Sequence, residues 1–161
     1  MKPHQKLPEP ILTPSTKAPK GEHDISVSRE QILQMGKISA EQFDQVALYA
    51  LRLFAFGQKV CAENGLILVD TKYEFGQTPD GRIVVMDEIH TPDSSRFWFA
   101  DTYQEQMARG ESPNSFDKEY LRRWLVEQGF KGDGPIPHIP DEIRVESARR
   151  YIEACETGRG G

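Results

Sequence analysis

The chain has no apolar run near the roughly 20 residues that a membrane-crossing helix needs. It also has only two cysteines in 161 residues, no surplus of basic residues and no internal repeat. Each absence excludes something. The missing run argues against a membrane partner. The opening MKPHQKLPEPILTPSTKAPK has early lysines but no hydrophobic stretch, so it does not read as a secretory signal. Cys61 and Cys155 are far apart and lack metal-ligand spacing; reduced thiols in a cytoplasmic protein are expected. Twenty Lys and Arg against 25 Asp and Glu leave a formal charge of −5, the wrong sign for neutralising nucleic-acid phosphates.

What is present suits a folded α+β domain with an extended lead-in. The hydrophobic fraction is 37% and the charged fraction 28%, enough for a core and a solvated surface. Residues 1–24 carry Pro3, Pro8, Pro10, Pro14 and Pro19, each of which biases its predecessor away from helix. That stretch is expected to be an extended arm, with residues 25–161 as the folded lobe. Ser28 to Gln31 and Ser39 to Gln42 both fit the S-x-x-Q capping box that opens a helix. Phe43, Val46, Ala47, Ala50, Leu53, Phe54, Gly57, Val60 and Cys61 keep the rhythm of one helical apolar face, and Asn64-Gly65 supplies the stop.

A β-hairpin is expected next, pairing Leu66 to Phe75 with Arg82 to Ile89 around GQTPDG. Pro79 suits the first turn position and Gly81 a positive φ. That register sets Lys72 opposite Asp87 with Glu74 on their diagonal; a slip by one residue sends Asp87 to the other face. Residues 90–114 read as irregular. Phe116 to Gln128 and Asp141 to Glu156 read as helices, the second with Ile143, Ala148, Tyr151, Ile152 and Cys155 inward.

Within the hairpin, LVDTKYEFG places Asp70, Lys72 and Glu74 at alternate positions. Two readings stay open. One is a solvated charged face. The other is a metal and phosphate site, because magnesium takes hard oxygen ligands, often only one or two carboxylates, and lysine is a compact phosphate-binding charge. A metal-dependent nuclease with a D-x-K strand is disfavoured, since its upstream Pro-Asp pair is missing: Pro79-Asp80, Pro92-Asp93 and Pro140-Asp141 all lie downstream.

LVDTKYEFG followed by DEIHTPDSSRFW closely resembles the SAICAR synthetase family. LPEPILTPSTKAPKGEHD, SFDKEYLRRWL and IPDEIRVESARRYIEACE resemble further family segments in the same order, so the resemblance runs from about Leu7 to Glu156. It implies the C-terminal lobe of a kinase-like, ATP-grasp-like α+β fold in which a β-hairpin packs with several helices. The implied activity is an ATP-dependent ligase of purine biosynthesis. ATP phosphorylates the carboxylate of carboxyaminoimidazole ribonucleotide, and the amino group of L-aspartate displaces phosphate to form an amide. By motif position, Glu74 and Asp87 are implied as Mg2+ and ATP ligands, and Lys72 as the catalytic lysine at phosphate or the activated carboxylate. Arg96 is implied at the ribonucleotide phosphate, and Ser95 as a further substrate-binding residue there. Lys17 is implied near the substrate carboxylates, and His23 and Asp24 at the aspartate pocket.

The family's N-terminal nucleotide lobe has no counterpart here: no Gly-rich loop precedes Lys17. Catalysis needs donors on both sides of the phosphates, so that lobe is expected from a longer chain or in trans. The alternative is a non-catalytic Mg-nucleotide or protein-interaction module. Tyr73, Phe75, Phe97 and Trp98 are candidates for an apolar patch facing such a lobe.

Overall fold

A computed structural model describes residues 3–16, 24–115, 118–130, 132 and 134–158. Its elements belong to two compact units. One holds residues 6–55 and 74–86. The other holds residues 56–73 and those from Asp87 onward, together with Pro3, His4 and Gln5.

In the first unit, β1 (Ser15–Thr16) pairs antiparallel with β2 (Ile25–Ser26), so part of the proline-rich arm is held in a short ladder. Both capping boxes form. Ser28 Oγ accepts from the Gln31 amide at 3.2 Å while Gln31 Oε1 accepts from the Ser28 amide at 2.7 Å, opening α1 (Arg29–Gln34). Ser39 and Gln42 repeat the exchange at 3.1 and 2.8 Å, next to α2 (Ala40–Glu63). The apolar face read for α2 is the one turned inward. Ala50, Gly57 and Cys61 are buried and the other members half-buried, whereas Leu48, Leu51 and Phe56 are exposed. Burial raises the pKa of the Cys61 thiol, which keeps it protonated and unreactive.

The hairpin exists but is shorter than expected, and its register differs. Only β4 (Glu74–Gln77) and β5 (Ile83–Met86) pair, with Glu74 opposite Met86 and Gln77 opposite Ile83. The turn is as read: the Gly81 amide donates to the Thr78 carbonyl at 2.8 Å and Gly81 has φ 87°. Asp87 lies beyond the last pair and has φ 65°. A left-handed residue cannot continue a strand, so Lys72 and Asp87 are not cross-strand partners.

In the second unit, β3 (Leu66–Thr71) pairs antiparallel with β6 (Ser95–Phe99). Residues 90–114 are therefore not irregular, for they supply β6 and α3 (Ala100–Arg109). The turn-forming TPDSS masks a strand whose alternation starts only at Ser95: Ser95 and Phe97 are buried and Arg96 is exposed. Leu66, Leu68 and Phe97 form the core of this ladder, with Leu68 only 2% exposed. Phe97 is thus interior, and Trp98 stacks on Tyr103 at 5.5 Å.

Helices α4 (Glu119–Glu127) and α5 (Asp141–Gly158) complete this unit. Arg150 lies over the Tyr120 ring at 4.2 Å and donates to the Ser115 carbonyl at 3.1 Å and to Glu146 at 2.8 Å. The inward face of α5 is accordingly more polar than its apolar residues suggest: Ala148 and Ile152 are exposed, while Glu146 and Arg150 are half-buried. Among the described residues no helix is long and apolar enough to cross a membrane.

Gly57 lies in the part of α2 that belongs to the second unit, close against that unit's own loop. A Cβ there would lie 2.5 Å from His90 Cε1 and 2.8 Å from Leu68 Cδ2. Alanine gains about 1 kcal/mol of helix propensity over glycine, but overpacking costs about 1–3 kcal/mol. Gly57→Ala should therefore lower the urea midpoint of unfolding; a raised midpoint would show that His90 moves aside freely.

Candidate functional site

The charged stretch is organised by the end of the β3–β6 ladder. β3 carries an irregularity between Leu68 and Asp70: Leu68 faces Phe97, yet Asp70 faces Arg96 and Thr71 faces Ser95. Strict alternation would put Asp70 on the buried side with Leu66 and Leu68. The extra residue turns it outward, where it meets a cation. Arg96 Nε donates to Asp70 Oδ1 at 2.8 Å, and Nη2 donates to Oδ2. Both side chains are about half exposed, so the pair contributes little stability; its bidentate geometry fixes the guanidinium plane. Asp93, in the turn before β6, pairs with Lys118 at 3.3 Å.

Lys72 follows directly. Its side chain is exposed, and its amide donates to the Ser94 carbonyl at 3.0 Å, carrying the ladder one residue past β3. Ser95 is only 4% exposed, and its hydroxyl lies 2.8 Å from Thr71 Oγ1 and 3.4 Å from Ser94 Oγ. The ladder therefore brings Lys72, Ser95 and Arg96 together with Asp70 and Thr71.

Tyr73 and His90 form the next layer. Tyr73 Oη lies 2.5 Å from His90 Nε2, with the rings edge to face. Burial pushes the Tyr73 phenol up to about 12 and lowers the His90 pKa. A protonated phenol and a neutral imidazole thus share one hydrogen bond between Oη and Nε2. His90 has φ 55° and Asp87 φ 65°, so Glu88 and Ile89 lie between two left-handed residues. Asp87 is exposed and Glu88 half-buried.

Glu74 opens β4 in the other unit, half-buried and opposite Met86. Asp24 is exposed, one residue before β2. Lys17 and His23 lie outside the described residues. Among the described residues no group of three or more His, Cys, Asp or Glu side chains could hold a metal ion. A structural zinc or calcium cage is thus not built here, whereas magnesium, which keeps waters and substrate oxygens, suits one or two carboxylates.

Sequence reasoning missed Asp70 as the partner of Arg96, the Tyr73–His90 pair and the Glu88–Thr91 contact. The first had a signal, since opposite charges favour facing positions in a ladder, but the ladder itself was not foreseen. Tyr73 read as one face of a single strand, and nothing in the pattern pointed to His90.

Comparison with known proteins gives a consistent result. A family model described as SAICAR synthetase matches residues 1–137. The phosphoribosylaminoimidazole-succinocarboxamide synthase of Bacteroides thetaiotaomicron is 48% identical over 162 residues, covering 99% of this chain and 51% of that protein. The chloroplastic enzyme of that name from Arabidopsis thaliana is also 48% identical, over 98% of this chain and 38% of its own length. The SAICAR-synthase from Saccharomyces cerevisiae, solved with SAICAR, superposes with a TM-score of 0.78 at 36% identity, over 98% of this chain and 48% of that one. A SAICAR synthetase in complex with ADP gives 0.71 at 30% identity, over 97% and 53%. The chain spans about half the length of the curated relatives it matches.

His90 has a depressed pKa in the folded state against 6.5 unperturbed, so below that pH the unfolded chain binds the proton more readily. Stability from neutral His90 is fully present above about pH 6.5 and is lost as pH falls towards the folded pKa. His90→Gln, which can still accept from Tyr73, should flatten the stability slope between about pH 6.5 and 5 in urea titrations. An unchanged slope would assign it to other groups. Tyr73→Phe should cost about 1–2 kcal/mol at neutral pH by stranding Nε2.

Proposed function

Because the chain belongs to the SAICAR synthetase family, we propose that it carries part of the active site for the ATP-dependent joining of L-aspartate to carboxyaminoimidazole ribonucleotide. The products are SAICAR, ADP and phosphate, and the setting is the cytoplasm. The γ-phosphoryl group passes from ATP to the ribonucleotide carboxylate. The aspartate amine then attacks that carbon, an amide C–N bond forms, and phosphate leaves as the amine loses its proton. The observation that supports this reading best is the ladder end, where Arg96 stands opposite Asp70 and Lys72 follows two residues after Asp70, just past β3.

Phosphoryl transfer depends on positioning and on neutralising charge. Lys72 supplies an ammonium whose backbone is held by the Ser94 carbonyl, suited to a phosphate or to the activated carboxylate. Arg96, oriented by Asp70, suits the ribonucleotide phosphate. Ser95 holds the Arg96 strand in place from inside. By motif position Glu74 and Asp87 would hold magnesium, which when bound supplies charge neutralisation for the ATP phosphates. The left-handed Asp87 supports a functional role, because such backbone positions concentrate at sites. Lys17, His23 and Asp24 enter on motif position alone, as contacts to the substrate carboxylates and to aspartate. Residues 25–161 act as the C-terminal lobe behind the arm of residues 1–24, and the nucleotide lobe completes the site.

The span of about half the relatives' length favours one second reading, a Mg-nucleotide or protein-interaction module that assembles with a separate lobe. Aspartate-dependent ADP release decides between them, measured with Mg-ATP and the ribonucleotide, with and without an N-terminal family lobe in trans. Turnover in either arm supports the ligase reading. No turnover from a folded sample in both arms supports the module.

Two substitutions test the site. Asp87→Asn should abolish Mg-dependent nucleotide binding while leaving the circular dichroism spectrum unchanged; retained affinity would remove Asp87 from the metal site. Arg96→Ala should raise the ribonucleotide KM by about 10–100-fold, the loss of a charged hydrogen bond, and leave the KM for aspartate near its original value.

A further inference from the structure

We propose that Glu88 is a positioning residue that fixes the backbone carrying Lys72 and Arg96, acting through a chain of hydroxyls rather than as a metal ligand. The link to those two cations rests on the ligase reading above; the hydroxyl chain itself does not. Glu88 Oε2 accepts a hydrogen bond from Thr91 Oγ1. Thr91 Oγ1 lies 3.2 Å from Ser94 Oγ, Ser94 Oγ lies 3.4 Å from Ser95 Oγ, and Ser95 Oγ lies 2.8 Å from Thr71 Oγ1. Four hydroxyls thus run from one half-buried carboxylate to the last residue of β3.

The near end of the chain has a fixed direction. Thr91 Oγ1 donates to Glu88 Oε2, so the Thr91 proton is committed there. Thr91 Oγ1 then serves as acceptor, and it already receives the Ser94 amide at 3.3 Å. The Ser94 hydroxyl has only acceptors on the Thr91 side, the hydroxyl oxygen at 3.2 Å and the carbonyl at 3.5 Å, so it donates there. The Ser94–Ser95 and Ser95–Thr71 contacts carry the chain on to β3, and either hydroxyl can donate in each. Two backbone bonds run alongside, from the Ser95 amide to the Thr91 carbonyl at 2.9 Å and from the Lys72 amide to the Ser94 carbonyl at 3.0 Å. The chain begins at Glu88, ends next to Lys72 and passes through the residue before Arg96. With Ser95 only 4% exposed, water is a poor substitute inside it, and losing the acceptor oxygen at position 88 frees the Thr91 proton and loosens the chain.

Amide hydrogen exchange at Lys72 in this chain is the deciding measurement, because that N–H is held by the Ser94 carbonyl. Glu88→Ala and Thr91→Val should each speed it about tenfold, the equivalent of one lost hydrogen bond. Glu88→Gln still offers an oxygen to Thr91 and Thr91→Ser keeps the hydroxyl, so both should exchange near the wild-type rate. Unchanged Lys72 exchange in a folded Thr91→Val chain overturns the proposal, as does a Gln variant as fast as Ala. Ribonucleotide titration without magnesium is the second arm: affinity should fall in Glu88→Ala and persist in Glu88→Gln. If Glu88→Gln keeps the exchange rate but loses magnesium-dependent nucleotide binding, Glu88 is a metal ligand and the proposal fails. If no variant, wild type included, binds ribonucleotide while the exchange pattern holds, the positioning role stands and the ligase reading fails.

Discussion

The register between β3 and β6 is the constraint on which the Lys72 region depends. Leu66, Leu68 and Phe97 bury one face of that ladder, and burying a Leu or Phe side chain is worth about 1.5–3 kcal/mol. Slipping either strand by one residue would turn this set to solvent. The same register puts Asp70 opposite Arg96 and Thr71 opposite Ser95. The hydrophobic contacts thus supply the energy, and the polar contacts inherit their alignment from it. The half-exposed Asp70–Arg96 pair adds little stability of its own, yet it decides where the guanidinium points.

This explains how far the site was legible in the sequence. The two capping boxes, the apolar face of α2 and the TPDG turn all follow from local rules, and each is found where those rules put it. Local rules do not choose between competing partners for a strand. LVDTKYEF has an even alternation that suits one long hairpin with RIVVMDEI, and the hairpin turn is real. The competing partner, SRFWF, offers Phe97 as a core residue, whereas DEIH offers two acids and a left-handed Asp87. The chain therefore changes ladders at Lys72 and Tyr73, a break that no alternation pattern announces. The residues assigned by resemblance to the family rest on motif positions, which do not depend on which strand pairs with which.

The irregularity after Leu68 resolves the oddity of three charges at alternate positions. Asp70, Lys72 and Glu74 never share the face of one strand. Asp70 is turned outward by the extra residue, Lys72 lies past the end of β3, and Glu74 begins a different ladder. A plain solvated face would need none of these interruptions. Bulges and ladder ends re-aim side chains, and three such devices in five residues favour the reading in which the charges have separate tasks.

The loop from Asp87 to Thr91 is held from a direction the charged residues do not reveal. Asp87 and His90 both take left-handed backbone, which costs an ordinary residue roughly 1–2 kcal/mol and persists only when surroundings over-determine it. Two contacts do so here. The Tyr73 hydroxyl holds His90 Nε2 at 2.5 Å, and the imidazole comes within 2.5 Å of where a Cβ on Gly57 would be. Glycine in the middle of a helix is a poor choice for the helix itself. It is explained by what it admits: only without a side chain at position 57 can His90 approach α2 closely enough to meet Tyr73. The placement of the exposed Asp87 carboxylate therefore traces back to the absence of a methyl group on the neighbouring helix.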